Sequence, residues 1–300
     1  MYARRILVAD DHTAMCERIA ALLASEFDVV ATVADGQAAV DATTSLHPDL
    51  VVLDISMPVL SGLEAAAVIR NLPNAPRIVF LTAYEDPAFV EAALRLGAAR
   101  VVLKRYMMRQ LVPVVRQALT VHAVHFYENA ASLSRVVASF IDDGRGASEA
   151  AVVIARSDHR AAILQEMLET TGDAQAGVER GELVMLDADE LLSRFMIDGM
   201  PCARRFADAV APIFDRVTTN GERGVRAYGE MVDVLWASDR QNAAVSLEIL
   251  WNQLAATYRF ALLCGYSRER VGDGSGFETI CSHHSRVVST RSPLPRYAHF

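Results

Sequence analysis

Through the first 120 residues, short and nearly continuous apolar runs alternate with stretches whose apolar residues recur at helical spacing. RRILVADD (4–11), FDVVATVAD (27–35), PDLVVLD (48–54), PRIVFLT (76–82) and ARVVLK (99–104) predict five strands. TAMCERIAALLAS (13–25), GQAAVDATTSLH (36–47), SGLEAAAVIRNL (61–72) and DPAFVEAALRLG (86–97) predict the helices between them, the second stopping before Pro48. Strands apolar throughout, joined by crossover helices, imply a parallel sheet covered on both faces, a (βα)5 arrangement. In such sheets sites form beyond the carboxyl ends of the strands.

The same alternation continues past residue 122. AVHFYE (123–128), AAVVIA (150–155), GELVMLD (181–187), GVRAYGEMV (224–232) and FALLCGY (260–266) read as strands. ASLSRVVASFIDDG (131–144) and HRAAILQEMLETTG (159–172) read as helices. ELLSRFMIDG and ARRFADAVAPIFDRVTTNG continue helical, and AAVSLEILWNQLAATY places Leu247, Leu250, Trp251 and Leu254 on one helical face. A second α/β layer domain is expected over 122–290, behind a first domain at 1–121, with 291–300 as a surface tail.

Composition narrows the function classes. A net charge of −8 opposes general affinity for nucleic acid or anionic membranes, and no helix-turn-helix pattern follows the first domain. No segment has the apolar length of a membrane span or the form of a signal peptide. Four scattered cysteines (16, 202, 264 and 281) fit reduced thiols in a cytoplasmic protein. The 29 basic residues include a single lysine, Lys104, a position that keeps a compact ammonium in an arginine-dominated chain.

Listing what ends each strand of the first domain gives its chemistry. Asp10 and Asp11 follow the first strand, Asp54 the third, Thr82 ends the fourth and Lys104 the fifth. Three carboxylates brought close repel one another and call for a hard divalent cation, for which Mg²⁺ is suited. A carboxylate can also accept a phosphoryl group, a transfer that needs chiefly positioning and neutralised charge.

VADDH, DISMPVLSG (54–62), VFLTA (79–83) and LGAARVVLK (96–104) resemble, in order and spacing, the flavodoxin-like receiver domain of two-component response regulators. The resemblance implies that Asp54 takes phosphate from a histidine kinase or phosphotransfer protein. It implies a Mg²⁺ site of Asp11, Asp10 through water, Asp54 and the Ser56 carbonyl, with Thr82 and Lys104 holding the phosphoryl oxygens. Phosphorylation is expected to change an association, either of two receivers or of the receiver with the second domain, with a homodimer through the receiver and an unknown downstream protein or small ligand as the partners expected. Two positions depart from the pattern: Val101 stands where an aromatic switch residue is usual, and Arg105 where proline usually follows the lysine. Pro113 inside the last receiver helix removes one helical hydrogen bond.

In the second half, HFYE, FIDDG, RAYGEMV, LEILWN, LLCGY and ICSHH together resemble the MEDS sensory domain of methanogens and methylotrophs. That family resembles in turn a degenerate, three-layer RecA-like fold. LVMLD matches its Walker B strand, where Asp187 is either a relic of a metal ligand or a turn cap. YENAASLSR (127–135) stands where the phosphate loop would lie, without glycine and with Leu133 at the lysine position. A nucleotide-hydrolysing output is disfavoured on that ground, and no dedicated enzymatic activity is expected beyond the receiver's own phosphorylation and dephosphorylation.

A direct sensor of a small ligand or metal remains the rival reading of the second domain. Cys281, His283 and His284, with Cys264 and the His122/His125 pair, could ligate zinc or haem, although buried residues satisfied within the fold are the better expectation. Arg226, Tyr228 and Glu230 alternate along one strand and would share a face, with Arg226 and Glu230 forming either an internal salt bridge or part of a polar pocket. A ligand pocket is expected from Arg226, Tyr228, Glu230, Cys264, Cys281 and His284.

Overall fold

The computed structural model describes residues 4–73, 75–83, 93, 99–145, 149–172, 174–218, 223–272 and 274–288. Apart from Ala93, the helix expected over 86–96 lies outside these residues, as does the tail 291–300. The chain divides into two compact units, Met1–Leu119 and Thr120–Phe300.

The first unit is a five-stranded sheet in the order β2-β1-β3-β4-β5. The strands β1 (Arg5–Ala9), β2 (Asp28–Val33), β3 (Leu50–Leu53), β4 (Arg77–Thr82) and β5 (Arg100–Leu103) all pair in parallel. Side-chain alternation splits its apolar residues between two faces. Leu7, Ala9, Val51, Leu53 and Phe80 pack against α2 (Gly36–Leu46) and α3 (Gly62–Ile69). Ile6, Val8, Val52, Leu81 and Val102 pack against α1 (Thr13–Leu23) and α4 (Met107–Leu119). Helix α4 runs from Met107 to Leu119 with Pro113 inside it.

The second unit is also a wholly parallel sheet, of six strands in the order β13-β6-β12-β11-β7-β8. These are β6 (His122–Tyr127), β7 (Ala150–Ala155), β8 (Leu183–Asp187), β11 (Val225–Gly229), β12 (Phe260–Ser267) and β13 (Arg286–Val288). One face carries Val124, Val152, Ala227 and Leu262 beneath α8 (Ala188–Phe195), α9 (Ala203–Thr218), α10 (Met231–Ala237) and α11 (Gln241–Leu254). The opposite face carries Ala123, Val153, Tyr228 and Leu263 beneath α5 (Ala130–Arg145), α6 (Ser157–Thr171) and α7 (Ala174–Glu179). Three layers result, with every residue of β7 and β12 buried, which is why these strands read as unbroken apolar runs. Short helices α12 (Arg268–Val271) and α13 (Ser275–Ser282) lead into β13.

Three local expectations change. The helix starting at Glu190 does not continue through MIDG: β9 (Met196–Ile197) and β10 (Met200–Pro201) form a small hairpin turned by Asp198 and Gly199, both at positive φ. GVRAYGEMV is a strand only as far as Gly229, and Met231 begins a helix. The second unit gains an edge strand, β13, that no apolar run announced.

Candidate functional site

At the carboxyl edge of the first sheet the structure brings together Asp10, Asp54, Thr82 and Lys104. Asp10, Asp54 and Thr82 are buried, because each stands at or just beyond the end of a strand covered on both sides. Lys104 Nζ lies 2.6 Å from Asp10 Oδ2 and 3.0 Å from Asp54 Oδ2, so one ammonium spans two carboxylates. Asp54 Oδ1 accepts the Ile55 N–H at 2.8 Å. Burial pushes the Asp54 carboxyl above its ordinary pKa, against the pull of Lys104. Burial pulls the Lys104 ammonium down, but Asp10 and Asp54 together outweigh it and raise its pKa. Asp11 is exposed, and its Oδ1 is 2.7 Å from Nδ1 of His12, a neighbour whose motif position gave no hint of a role.

The turn after Asp54 is held tightly. Ser56 is exposed within it, and the Leu60 N–H donates to the Pro58 carbonyl across Val59, which has φ 65 and is 83% exposed. A β-branched residue in that conformation marks a strained γ-turn. The chain then returns through Gly62, whose N–H donates to the Ile55 carbonyl at 2.9 Å. A Cβ on Gly62 would lie 1.9 Å from the Asp54 carbonyl oxygen, which explains the glycine of the motif. Gly62→Ala should therefore displace the strand end bearing Asp54 and destabilise the first unit by roughly 1–3 kcal/mol, as overpacking does, measured by denaturant unfolding. Val101 is half-buried against the face of Leu53 and Phe80, an aliphatic filler at the position expected for a switching ring.

The six groups expected to line one pocket of the second unit do not meet. Cys264 faces the same side of the sheet as Val124 and Leu262, whereas Tyr228 faces the opposite side. Neighbouring strands in register cannot bring such residues to one cavity, because period-two alternation sends them to different layers. Arg226 does not pair with Glu230. Its Nε donates to Glu149 Oε2 at 2.5 Å in the core, with the guanidinium 5.2 Å above the Phe140 ring. Cys281 is half-buried on α13 and stands outside the group formed by Cys264 and His284.

Glu230 belongs instead to a polar network at the carboxyl edge of the second sheet. It receives hydrogen bonds from the Arg156 N–H and, at 3.1 Å, from the Tyr228 hydroxyl, and lies 2.7 Å from His159 Nδ1. Nearby, buried Asp233 accepts from the Tyr127 hydroxyl (2.8 Å), the Ser267 N–H (2.9 Å), Arg156 (3.2 Å) and Arg270 (2.8 Å). Burial and Asp233 push the Tyr127 hydroxyl well above its ordinary pKa, so it stays a donor. Asp187, in the strand likened to Walker B, caps α8 by accepting the Asp189 and Glu190 N–H groups. In YENAASLSR, Asn129 caps the first turn of α5 through the Ser132 N–H, and Leu133 is fully buried. The position of a phosphate-neutralising lysine is thus a core position.

A second buried group lies on the α11 side of the sheet. His122, Glu248, Cys264 and His284 each offer a ligand-type atom, all within 4.8 Å of one another. Glu248 was missed in the sequence because its neighbours are apolar, yet Ala244, Leu247, Glu248 and Trp251 form one helical stripe, and an acid on a core stripe is a usable signal. Burial opposes the Glu248 charge, but His284 and His122 hold its carboxyl well below the ordinary range. Burial and Glu248 push the Cys264 thiol up.

Sequence comparison agrees with this division. Residues 6–116 match the response regulator receiver domain, and residues 121–284 match the MEDS family, the MEthanogen/methylotroph, DcmR Sensory domain. The transcriptional regulatory protein LnrK of Bacillus subtilis is 35% identical over 121 residues, 40% of this chain and 54% of that protein. The transcriptional regulatory protein PdtaR of Mycobacterium tuberculosis is 35% identical over 118 residues, 39% of this chain and 57% of that protein. The chain spans about half the length of the curated relatives it matches. The response regulator domain of Thermotoga maritima CheB aligns with 29% identity over 39% of this chain and 96% of that one, at a TM-score of 0.37. No helix among the described residues is long and apolar enough to cross a membrane. With more than half of its length in the sensory-domain match and most of the remainder in the receiver match, the chain belongs to the MEDS family and carries a response regulator receiver domain ahead of its MEDS domain.

Proposed function

We propose that the receiver accepts a phosphoryl group on Asp54 from the phosphohistidine of a kinase or phosphotransfer protein, and that this event controls the output of the MEDS domain. The observation that carries the proposal is the Lys104 ammonium spanning Asp10 and Asp54 at the carboxyl edge of the sheet. An Asp54 carboxylate oxygen attacks phosphorus, the P–N bond of the donor breaks, and the released imidazole nitrogen takes up a proton. The product is an acyl phosphate, whose oxygens the Lys104 ammonium and the Thr82 hydroxyl would hold.

The donor set fits Mg²⁺. Asp10 Oδ2 is buried, and its charge is met by the Lys104 ion pair. Asp10, Asp11, Asp54 and the Ser56 carbonyl, all hard oxygen donors, would hold the ion, which when bound supplies countercharge to the phosphoryl oxygens. Incubation with acetyl phosphate should give a single hydroxylamine-labile adduct by intact mass, formed with Mg²⁺ and absent when EDTA removes it. Labelling that ignores EDTA would contradict the proposal.

The MEDS domain then acts through a protein partner or a small ligand, with a receiver homodimer as one form of output. Buried Leu133 and the glycine-free turn ahead of α5 argue against an ATPase output, because a phosphate loop needs backbone N–H groups and a lysine facing the nucleotide.

A further inference from the structure

We propose that His122, Glu248, Cys264 and His284 form a closed binding site for a Zn²⁺-class transition-metal ion inside the MEDS domain. The proposal does not rest on phosphorylation of the receiver.

Four separate elements deliver the donors. His122 opens β6, Glu248 lies mid-way along α11, Cys264 lies within β12, and His284 follows α13. His122 Nε2 is 3.3 Å from Cys264 Sγ and 3.1 Å from Glu248 Oε2. Cys264 Sγ is 3.5 Å from Glu248 Oε2, and His284 Nε2 is 3.4 Å from Glu248 Oε1. An ion with bonds of about 2.0–2.3 Å in tetrahedral geometry places its ligands roughly 3.3–3.8 Å apart, close to these separations.

The imidazoles are oriented as metal ligands are. His284 Nδ1 is 2.7 Å from the Ile280 carbonyl, which fixes the proton on that nitrogen. His122 Nδ1 is likewise 3.0 Å from Asn252 Oδ1. Both rings therefore turn Nε2 inward, and His284 Nε2 is a buried nitrogen with no hydrogen bond of good geometry among the described residues. The Tyr266 hydroxyl donates to Glu248 Oε1 at 2.8 Å and holds the carboxylate from behind.

Charge favours the same conclusion. A divalent ion, one thiolate, one carboxylate and two neutral imidazoles sum to zero, which suits a site whose Glu248 and Cys264 are at most 1% exposed. Binding releases the Cys264 thiol proton, and any proton on an inward-facing Nε2. Sulfur and imidazole donors select zinc and its transition-metal neighbours over Mg²⁺, so the ion would not compete with the receiver's. With four protein ligands the centre is closed, as in structural sites, and it would fasten the 280–288 segment, including β13, to β6.

The test uses the full chain, purified without a histidine tag and treated with excess Zn²⁺ followed by gel filtration. Wild type should retain about one zinc per chain, and Cys264→Ser and His284→Ala should lose it while Cys281→Ser keeps it. Cobalt-loaded wild type should show a thiolate-to-cobalt charge-transfer band that is absent in Cys264→Ser. Because the variants could fail to fold, X-ray absorption on zinc-loaded wild type provides an independent measurement, with a sulfur neighbour expected at about 2.3 Å. Absence of retained zinc, absence of sulfur among the ion's neighbours, or equal retention by a folded Cys264→Ser protein would overturn the proposal. None of these outcomes bears on Asp54 labelling, so the two proposals stand or fall separately.

Discussion

Asp54→Asn should take up no phosphoryl group from acetyl phosphate under conditions that label the wild type, while its fold is retained. The amide keeps the shape of the side chain but loses the nucleophilic carboxylate. The Ile55 N–H can still donate to the side-chain carbonyl oxygen of that amide, and Lys104 keeps its contact with Asp10. Lys104→Met should behave differently: the acceptor remains, but the charge that would neutralise the incoming phosphoryl group is gone. Losing one positioned electrostatic group of this kind costs about 10²–10³ in rate, so labelling should be slow rather than absent. Intact mass spectrometry over a time course checks both variants. Full labelling of the Asp54→Asn protein would sink the assignment.

Glu149→Ala should destabilise the second unit by about 3–5 kcal/mol, the range for removing one member of a buried ion pair. Glu149 and Arg226 are almost wholly inaccessible, and the carboxylate is the anion on the Arg226 Nε in a layer otherwise built of Phe140, Ile141 and Tyr228. The double variant Glu149→Leu with Arg226→Met should recover most of the loss, since replacing both charges by apolar groups removes the desolvation cost together with the attraction. Space around the pair is already limited: a Cβ on Gly144 would lie 2.2 Å from Arg226 Cγ. Urea unfolding of the full chain, followed by the near-ultraviolet signal of Trp236 and Trp251, would resolve the difference. A loss below about 1 kcal/mol for Glu149→Ala would show that the pair is not a determinant of this core.

The receiver site was legible in the sequence because topology alone places it. Once five apolar runs are recognised as parallel strands, their carboxyl ends share an edge, and Asp10, Asp54, Thr82 and Lys104 must come together wherever the intervening helices lie. The sequence left out how the site is balanced. That Lys104 spans Asp10 and Asp54, and that His12 contacts Asp11, depends on side-chain reach across strands and not on strand order.

The second unit shows the opposite limit. The alternation of Arg226, Tyr228 and Glu230 was visible, and Tyr228 and Glu230 do meet, yet Arg226 is taken by Glu149, a residue 77 positions earlier. Local periodicity states which residues share a face of a strand, not which helix covers that face.

Sequence by itself determined most of the strand inventory, the layer order within each crossover unit, the edge at which Asp54 stands, and the absence of a glycine-rich phosphate loop. These follow from hydrophobic period and residue type, which act over a few neighbouring positions. Only the tertiary structure decided that Cys264 and Tyr228 lie on opposite faces and that Cys281 stands apart from the buried donors. It also decided that Glu248, on an otherwise apolar helical stripe, joins His122, Cys264 and His284. Those partners lie up to 162 residues apart in the chain, between His122 and His284, and a charged group can be buried there only because the packing of α11 against β6 and β12 supplies counter-groups that no local pattern encodes.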